Sequence, residues 1–377
     1  MRPLATRLPA LMLALMLLPT LAAASDIESL PDLAARFRAE AELRRNAAFR
    51  TLDASDAPAA RALREDPSVQ LMGMDRLGWP IYFQTDNLNA ARTISTDDVW
   101  NAPFNLSGGT LESGRVGIWD GGGVRLTHQE FGGRVIQVDG ASILSGHATH
   151  VAGTIIGAGV NLAANGMAYA APLSAHEWTN DNAEMTTAAG NGMLVSNHSY
   201  GVAVGWSWNS TEGAWYWYGN PGISPTEDYR FGFYDADAAG WDALALAAPS
   251  YLVCKSAGNH RNETGPTPGG THFVYNGTEW VESTAIRDPD GGATGFDTLS
   301  PRSTAKNILV VGAVNDLAAG WTAPGDVTAS AFTSYGPTDD GRIKPDLVAN
   351  GVGLTSAYSS GDASYASLSG TSMSTPA

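Results

Sequence analysis

Beyond residue 110 the chain alternates short apolar runs with longer stretches of helical periodicity. Val116-Gly117-Ile118-Trp119 has no polar position, as expected of a strand buried on both faces. Leu194-Val195-Ser196, Tyr251-Leu252-Val253-Cys254 and Ile308-Leu309-Val310-Val311 are further strand candidates. Between them, Thr149 to Ile156 sets Val151, Ala152, Ile155 and Ile156 on one helical face, and Asp235 to Ala248, dense in Ala and Leu, predicts a second helix. Strands alternating with helices predict an α/β fold: a mostly parallel, twisted sheet with helices on both faces, in three layers. In such sheets binding sites gather at the carboxyl ends of the strands.

The pattern before residue 110 is different. From Ser25 to about Glu65 the chain is rich in Ala, Arg, Glu and Leu, which predicts a solvated helical extension with little to bury. A short apolar stretch, Trp79 to Phe83, precedes a polar segment that ends near Trp100, where a domain boundary is placed. The extension is either a simple N-terminal arm or a pro-segment removed on maturation. Trp206 to Tyr234 stands apart, with Trp206, Trp208, Trp215, Tyr216, Trp217 and Tyr218 set among Gly, Pro, Asn and Ser. It reads as a long loop with an aromatic surface. No repeat of fixed period is present.

The first 24 residues carry an export signal: Arg2 and Arg7, an apolar run from Leu8 to Leu21, and Ala22-Ala23-Ala24 before Ser25. The run is short of the ~20 residues a spanning helix needs and holds Pro9 and Pro19. Secretion is therefore expected, with periplasm or cell surface as variants, and no membrane span after signal removal. The resulting layout is signal peptide 1–24, extension 25–100 and main domain 101–377. A length of 377 residues, 44% hydrophobic and 16% charged, allows a substantial core. The formal net charge of −16 disfavours nucleic acid and anionic membranes as partners. The lone Cys254 excludes an internal disulfide, so stability rests on packing.

Four segments carry chemistry. Val116 to Asp120 ends an apolar strand in a carboxylate followed by Gly121-Gly122-Gly123. Gly146-His147-Ala148-Thr149-His150-Val151-Ala152-Gly153-Thr154 opens an apolar helix with an imidazole. Its two histidines are also spaced as metal ligands, but no Glu or Asp completes a zinc pattern nearby. Val253-Cys254-Lys255-Ser256-Ala257-Gly258-Asn259 runs a buried strand into small residues and an amide able to donate to an oxyanion. Leu368-Ser369-Gly370-Thr371-Ser372-Met373-Ser374-Thr375-Pro376 puts a serine at a helix start, beside backbone N–H groups. Taken singly, these read as turns, a structural histidine pair and a helix cap. Together they supply the nucleophile, base, orienting carboxylate and oxyanion donors of serine hydrolysis.

In this combination the chain resembles the subtilisin-like serine peptidases. His-Ala-Thr-His-Val-Ala-Gly-Thr differs from that family's histidine block only in Ala148, and Gly-Thr-Ser-Met-Ser-Thr-Pro closely matches its serine block. The order Asp, His, Ser is also the family's. The resemblance spans roughly residues 110 to 377. It implies a secreted endopeptidase in which Asp120, His147 and Ser372 form a catalytic triad and Asn259, with the Ser372 N–H, forms the oxyanion hole. Ser199, Tyr200, Gly201, Ala257 and Gly258 match its substrate-binding segments, and Phe332 to Pro337 with Lys344-Pro345-Asp346 resembles the stretch before its nucleophile. A monomer acting on protein or peptide substrates through an acyl-enzyme is expected, with no cofactor required for the chemistry. Family members often bind calcium, and a structural calcium ion stays open for this acidic chain, although no segment has convincing ligand spacing.

One feature departs from the pattern. The resemblance implies a buried helix continuing past Ser372, yet Ala377 follows five residues later, and a stub this short is marginal without packing. A partial sequence is expected, and the alternative reading is an inactive, protein-binding relative. An esterase of another fold is disfavoured, since no Gly-x-Ser-x-Gly elbow surrounds Ser372.

Overall fold

The computed structural model describes residues 28–48, 69–74, 79–85, 91–317 and 320–377, so the signal segment lies outside the described residues. The chain begins with α1 (Leu30–Ala48), β1 (Val69–Met74), β2 (Pro80–Thr85) and α2 (Thr96–Trp100). There follow β3 (Val116–Asp120), β4 (Val135–Gln137), α3 (Gly146–Ile156), β5 (Leu173–Glu177), α4 (Asp181–Gly190), β6 (Val195–His198) and β7 (Tyr200–Val202). Next come β8 (Trp206–Asn209), β9 (Ala214–Trp217), α5 (Ala236–Ala247), β10 (Leu252–Ser256), β11 (His272–Tyr275), β12 (Trp280–Ser283) and β13 (Leu309–Val314). The last elements are β14 (Leu347–Asn350), β15 (Val352–Ala357), β16 (Tyr365–Ser369) and α6 (Thr371–Ser374).

Seven strands form the central sheet in the order β14-β13-β10-β6-β3-β5-β4, every pairing parallel. The chain runs from β3 outward to one edge and then returns past β3 to build the other side. The carboxyl end of β3 therefore lies where the winding reverses, the place such sheets use for sites. The sheet is covered on both faces, as its unbroken apolar runs require. Val116 and Ile118 pack with Val151, Ile155 and Ile156 of α3, while Trp119 points the other way, into a core with Met193, Trp241 and Val253.

Two regions depart from the sequence reading. The extension is not merely solvated. Leu33, Ala34 and Phe37 of α1 are buried, with Leu33 and Phe37 in the same core as Trp241, so a narrow apolar stripe suffices to dock a helix that exposes Asp32, Arg36, Arg38 and Glu40. It also supplies strands: β2 pairs antiparallel with β1 on one side and with β7 on the other. Nor is the aromatic stretch a plain loop. β8 and β9 form a hairpin, and with β11 and β12 they make a four-stranded sheet in the order β12-β11-β9-β8. Trp206, Trp208, Trp215 and Trp217 share one face of the hairpin, where the facing pair Trp206 and Trp217 is buried and Trp208, nearer the turn, is exposed.

Candidate active site

Asp120 ends β3, with backbone neighbours on both sides: Glu177 of β5 faces it in register, and Trp119 is opposite His176 and His198. Its carboxylate is fully buried. Oδ1 accepts from the Gly121 N–H at 2.8 Å and from His147 Nδ1 at 2.6 Å, and Oδ2 lies 2.8 Å from the same nitrogen. A carboxylate oxygen accepts here, which requires the proton on Nδ1 and makes Nε2 the acceptor nitrogen of a neutral ring. His147 sits in the first turn of α3, which Ser145 caps by accepting from the Ala148 N–H at 3.1 Å.

The helix behind His147 is locked. Gly153 meets β15 so closely that an added Cβ would lie 3.0 Å from the Ala357 Cβ, and the Ser356 hydroxyl donates to the His150 carbonyl at 2.8 Å. His150 is sealed below, its Nε2 directed at the Leu354 and Ala366 carbonyls at 3.3 and 3.2 Å. Burial pushes its imidazole down to about 3, with the neighbouring His147 acting in the same sense. It is a neutral structural histidine that ties α3 to the β15–β16 hairpin.

Ser372 lies in the first turn of α6, which packs on α3, β10 and β13. Its hydroxyl donates to the Ser199 carbonyl at 2.8 Å, and the Ser199 hydroxyl returns a bond to the Ser372 carbonyl at 2.7 Å. The end of β6 and the start of α6 are thereby stitched together. Asn259 follows β10, and its Oδ1 accepts from the Thr371 N–H at 2.9 Å and the Thr371 hydroxyl at 3.1 Å. With the oxygen so engaged, the amide turns Nδ2 to the opposite side. The Gly258 N–H donates to Thr371 Oγ1 at 3.0 Å, closing a small ring between the two segments.

An open pocket of about 490 Å³ adjoins this arrangement. Of the expected substrate-binding residues, Tyr200, Gly201 and Gly258 line it beside the oxyanion candidate Asn259, whereas Ala257 is buried in the core and Ser199 is bonded to Ser372. The Tyr200 side chain also turns inward: its hydroxyl donates to Asp181 at 2.8 Å and lies 3.0 Å from His198 Nδ1. Sequence reasoning missed Lys255, Ser256, His260, Glu263 and Ser300 in the lining, and missed that β8 begins there with Trp206 and Ser207. Lys255 stood inside a quoted strand, one residue from positions of interest, so the alternation of strand side chains was the available signal. A Cβ at Gly201 would stand 3.2 Å from Ser300 Oγ and 3.7 Å from Lys255 Nζ, so the glycine keeps this polar wall uncovered. The β2 strand runs along the same segment, with Thr85 opposite Tyr200 and Gln84 opposite Gly201.

The fold is similar to that of the CspB protease of Clostridium perfringens, at a TM-score of 0.51 and 16% identity over 76% of this chain and 85% of that one. A cold adapted subtilisin-like serine proteinase is also similar, at a TM-score of 0.41 and 20% identity over 72% and 73% of the two chains. A stretch of 60 residues is 47% identical to the serine protease/ABC transporter B family protein tagB of Dictyostelium discoideum. That match covers 12% of this chain and 3% of the curated relative, so the chain spans only a small part of it. Among the described residues no helix is long and apolar enough to cross a membrane. Residues 137–377, more than half of the sequence and inclusive of the His147 and Ser372 segments, match the description "Subtilase family", and the chain belongs to that family.

Proposed function

We propose that this protein is a secreted serine endopeptidase, and that Asp120, His147 and Ser372 are its catalytic triad. The observation that carries the reading is the buried two-oxygen contact between Asp120 and His147 Nδ1, on a helix packed against the one that bears Ser372. Ser372 Oγ gives up its bond to the Ser199 carbonyl and attacks the scissile carbonyl carbon, while its proton passes to His147 Nε2. Asp120 holds the Nδ1–H and stabilises the imidazolium. The oxyanion accepts from Asn259 Nδ2 and the Ser372 N–H. Collapse expels the amine, which takes the proton from Nε2, and water then releases the acyl group by the same path. No step uses a cofactor.

The pocket is lined by Lys255, Ser256, Ser300 and Glu263, which favours a polar or charged side chain before the cut over a large apolar one. Mapping cleavage sites in a mixed peptide library tests this, and a dominance of Leu or Phe at that position would contradict it. The extension acts as a pro-segment, because β2 engages the Tyr200–Val202 backbone that substrate would use. Gln84→Pro, a substitution that a central strand does not tolerate, is expected to loosen β2 and raise activity.

The decisive experiment is labelling with a fluorophosphonate probe. Labelling of the wild-type chain that disappears in Ser372→Ala supports the enzyme. A folded wild-type chain that takes no label, before or after loss of the extension, supports an inactive protein-binding relative instead.

A further inference from the structure

We propose that Asp139, His176 and Glu184 bind one divalent cation of zinc-like chemistry at the carboxyl end of the sheet, behind Trp119. This inference stands apart from the proteolytic reading, since none of the three residues belongs to the triad or lines the pocket.

The three come from separate elements: Asp139 follows β4, His176 is in β5, and Glu184 is in the first turn of α4. Each offers one ligand atom, and all three atoms lie within 4.8 Å of one another. His176 is 6% exposed, and its Nδ1 has no hydrogen-bond partner among the described residues. The nearest acid oxygen, Glu184 Oε2, is 3.5 Å away, too far for the bond that an imidazole so placed would otherwise make. A buried ring nitrogen left without a partner and turned toward two carboxylates is the arrangement a cation completes.

The charge points the same way. Glu177 follows His176 directly and adds a third acidic residue beside the cluster, its N–H bonded to Asp139. Among the described residues no Lys or Arg forms an ion pair with Asp139, Glu177 or Glu184. Three acidic groups thus converge around His176 with no Lys or Arg paired to them among the described residues.

The ligands are also held from behind, as metal ligands are. Gln137 Nε2 donates to Asp139 Oδ1 at 2.9 Å, the Glu177 N–H donates to Asp139 Oδ2, and Trp119 Nε1 donates to Glu184 Oε2 at 3.0 Å. The His176 ring stacks on Trp119, with centroids 4.2 Å apart and planes 9° from parallel. One imidazole and two carboxylates suit zinc or cobalt, with water in the remaining position. Calcium takes six to eight oxygen ligands and would not select the histidine.

The test uses the full chain carrying Ser372→Ala, which prevents self-cleavage, stripped with chelator and titrated with Co²⁺ and then Zn²⁺. The expected result is one equivalent bound by calorimetry, a cobalt visible band that zinc abolishes, and a higher Tm with zinc. His176→Gln should weaken binding by more than about tenfold, the loss that even changes outside the coordination shell produce. If His176→Gln fails to fold by circular dichroism, Glu184→Gln serves in its place. Absence of stoichiometric binding, equal binding in the folded variants, or calcium bound in preference to zinc would overturn the proposal.

Discussion

Two histidine–carboxylate pairs stand on adjacent strands of one sheet, and they differ in how far they close. At the end of β3, Asp120 grips His147 Nδ1 with both oxygens, at 2.6 and 2.8 Å. One strand over, His176 Nδ1 stands 3.5 Å from Glu184. In the first pair the histidine comes from a helix start that can approach the strand end, so the two groups satisfy each other. In the second, the histidine sits within the strand and the acids come from either side of it, which opens a gap. The same residue types therefore give a closed hydrogen-bonded pair in one place and, in the other, the open gap to which we assign a cation. Backbone origin decides which.

The largest effect should come from breaking the closed pair or its nucleophile. Ser372→Ala is expected to lower kcat by on the order of 10⁶, and Asp120→Asn by about 10⁴ through loss of the correct tautomer, both read in a peptide assay. Magnitudes of this size are known for the family's own triad. If Asp120→Asn retained near-normal turnover, the closed geometry would have no catalytic meaning.

A third histidine sharpens the contrast. His150 is one turn past His147 but sealed, with its imidazole pushed down to about 3, and burial together with Lys255 and Arg302 also drives the fully buried His198 well below its usual value. In the unfolded chain His150 takes up a proton near pH 6.5, whereas in the folded protein it does so only near 3. The unfolded state then binds more protons between those limits, so stability rises with pH across that window and levels off above it. For His150 the slope is about 1.4 kcal/mol for each pH unit. Urea denaturation at pH 4, 5, 6 and 7 should show the midpoint climbing, and a flat profile would mean that His150 is not held neutral.

Asn259→Ala should lower kcat by about 10² to 10³, the magnitude known for an oxyanion asparagine in this family, with KM little changed. The smallest effect belongs to Thr371, which holds Asn259 and Gly258 from behind. Thr371→Val removes the hydroxyl's bond to the Asn259 amide and the acceptor of the Gly258 N–H, and a loss of about two- to tenfold in kcat is expected. A rise in KM larger than the fall in kcat would argue against this positioning role.

How much of this was legible in the sequence follows from how local each feature is. The strand ending in Asp120, the helix opened by His147 and the Asn259 and Ser372 segments are contiguous, and their predicted elements match β3, α3, β10 and the start of α6 within a residue or two. The pairing of Gln84 with Gly201 joins residues far apart in the chain and leaves no mark in either segment. The docked stripe of α1 was hidden because Arg36, Arg38 and Glu40 interleave with Leu33 and Phe37. The β8–β9 hairpin was obscured because Tyr216, on the face opposite the tryptophans, is buried as well, so the usual polar alternation is missing in β9. The Asp139, His176 and Glu184 cluster has no spacing rule, since only the order of strands in the sheet brings it together.

The tight meeting of Gly153 with Ala357 carries a lesson about where accuracy originates in this molecule. A methyl group there would wedge α3 away from the hairpin, tilting the rod whose far tip holds the imidazole. A displacement too small to notice at the wedge grows along the lever, so a silent-looking Gly153→Ala would blunt the enzyme two turns away from anything that touches substrate.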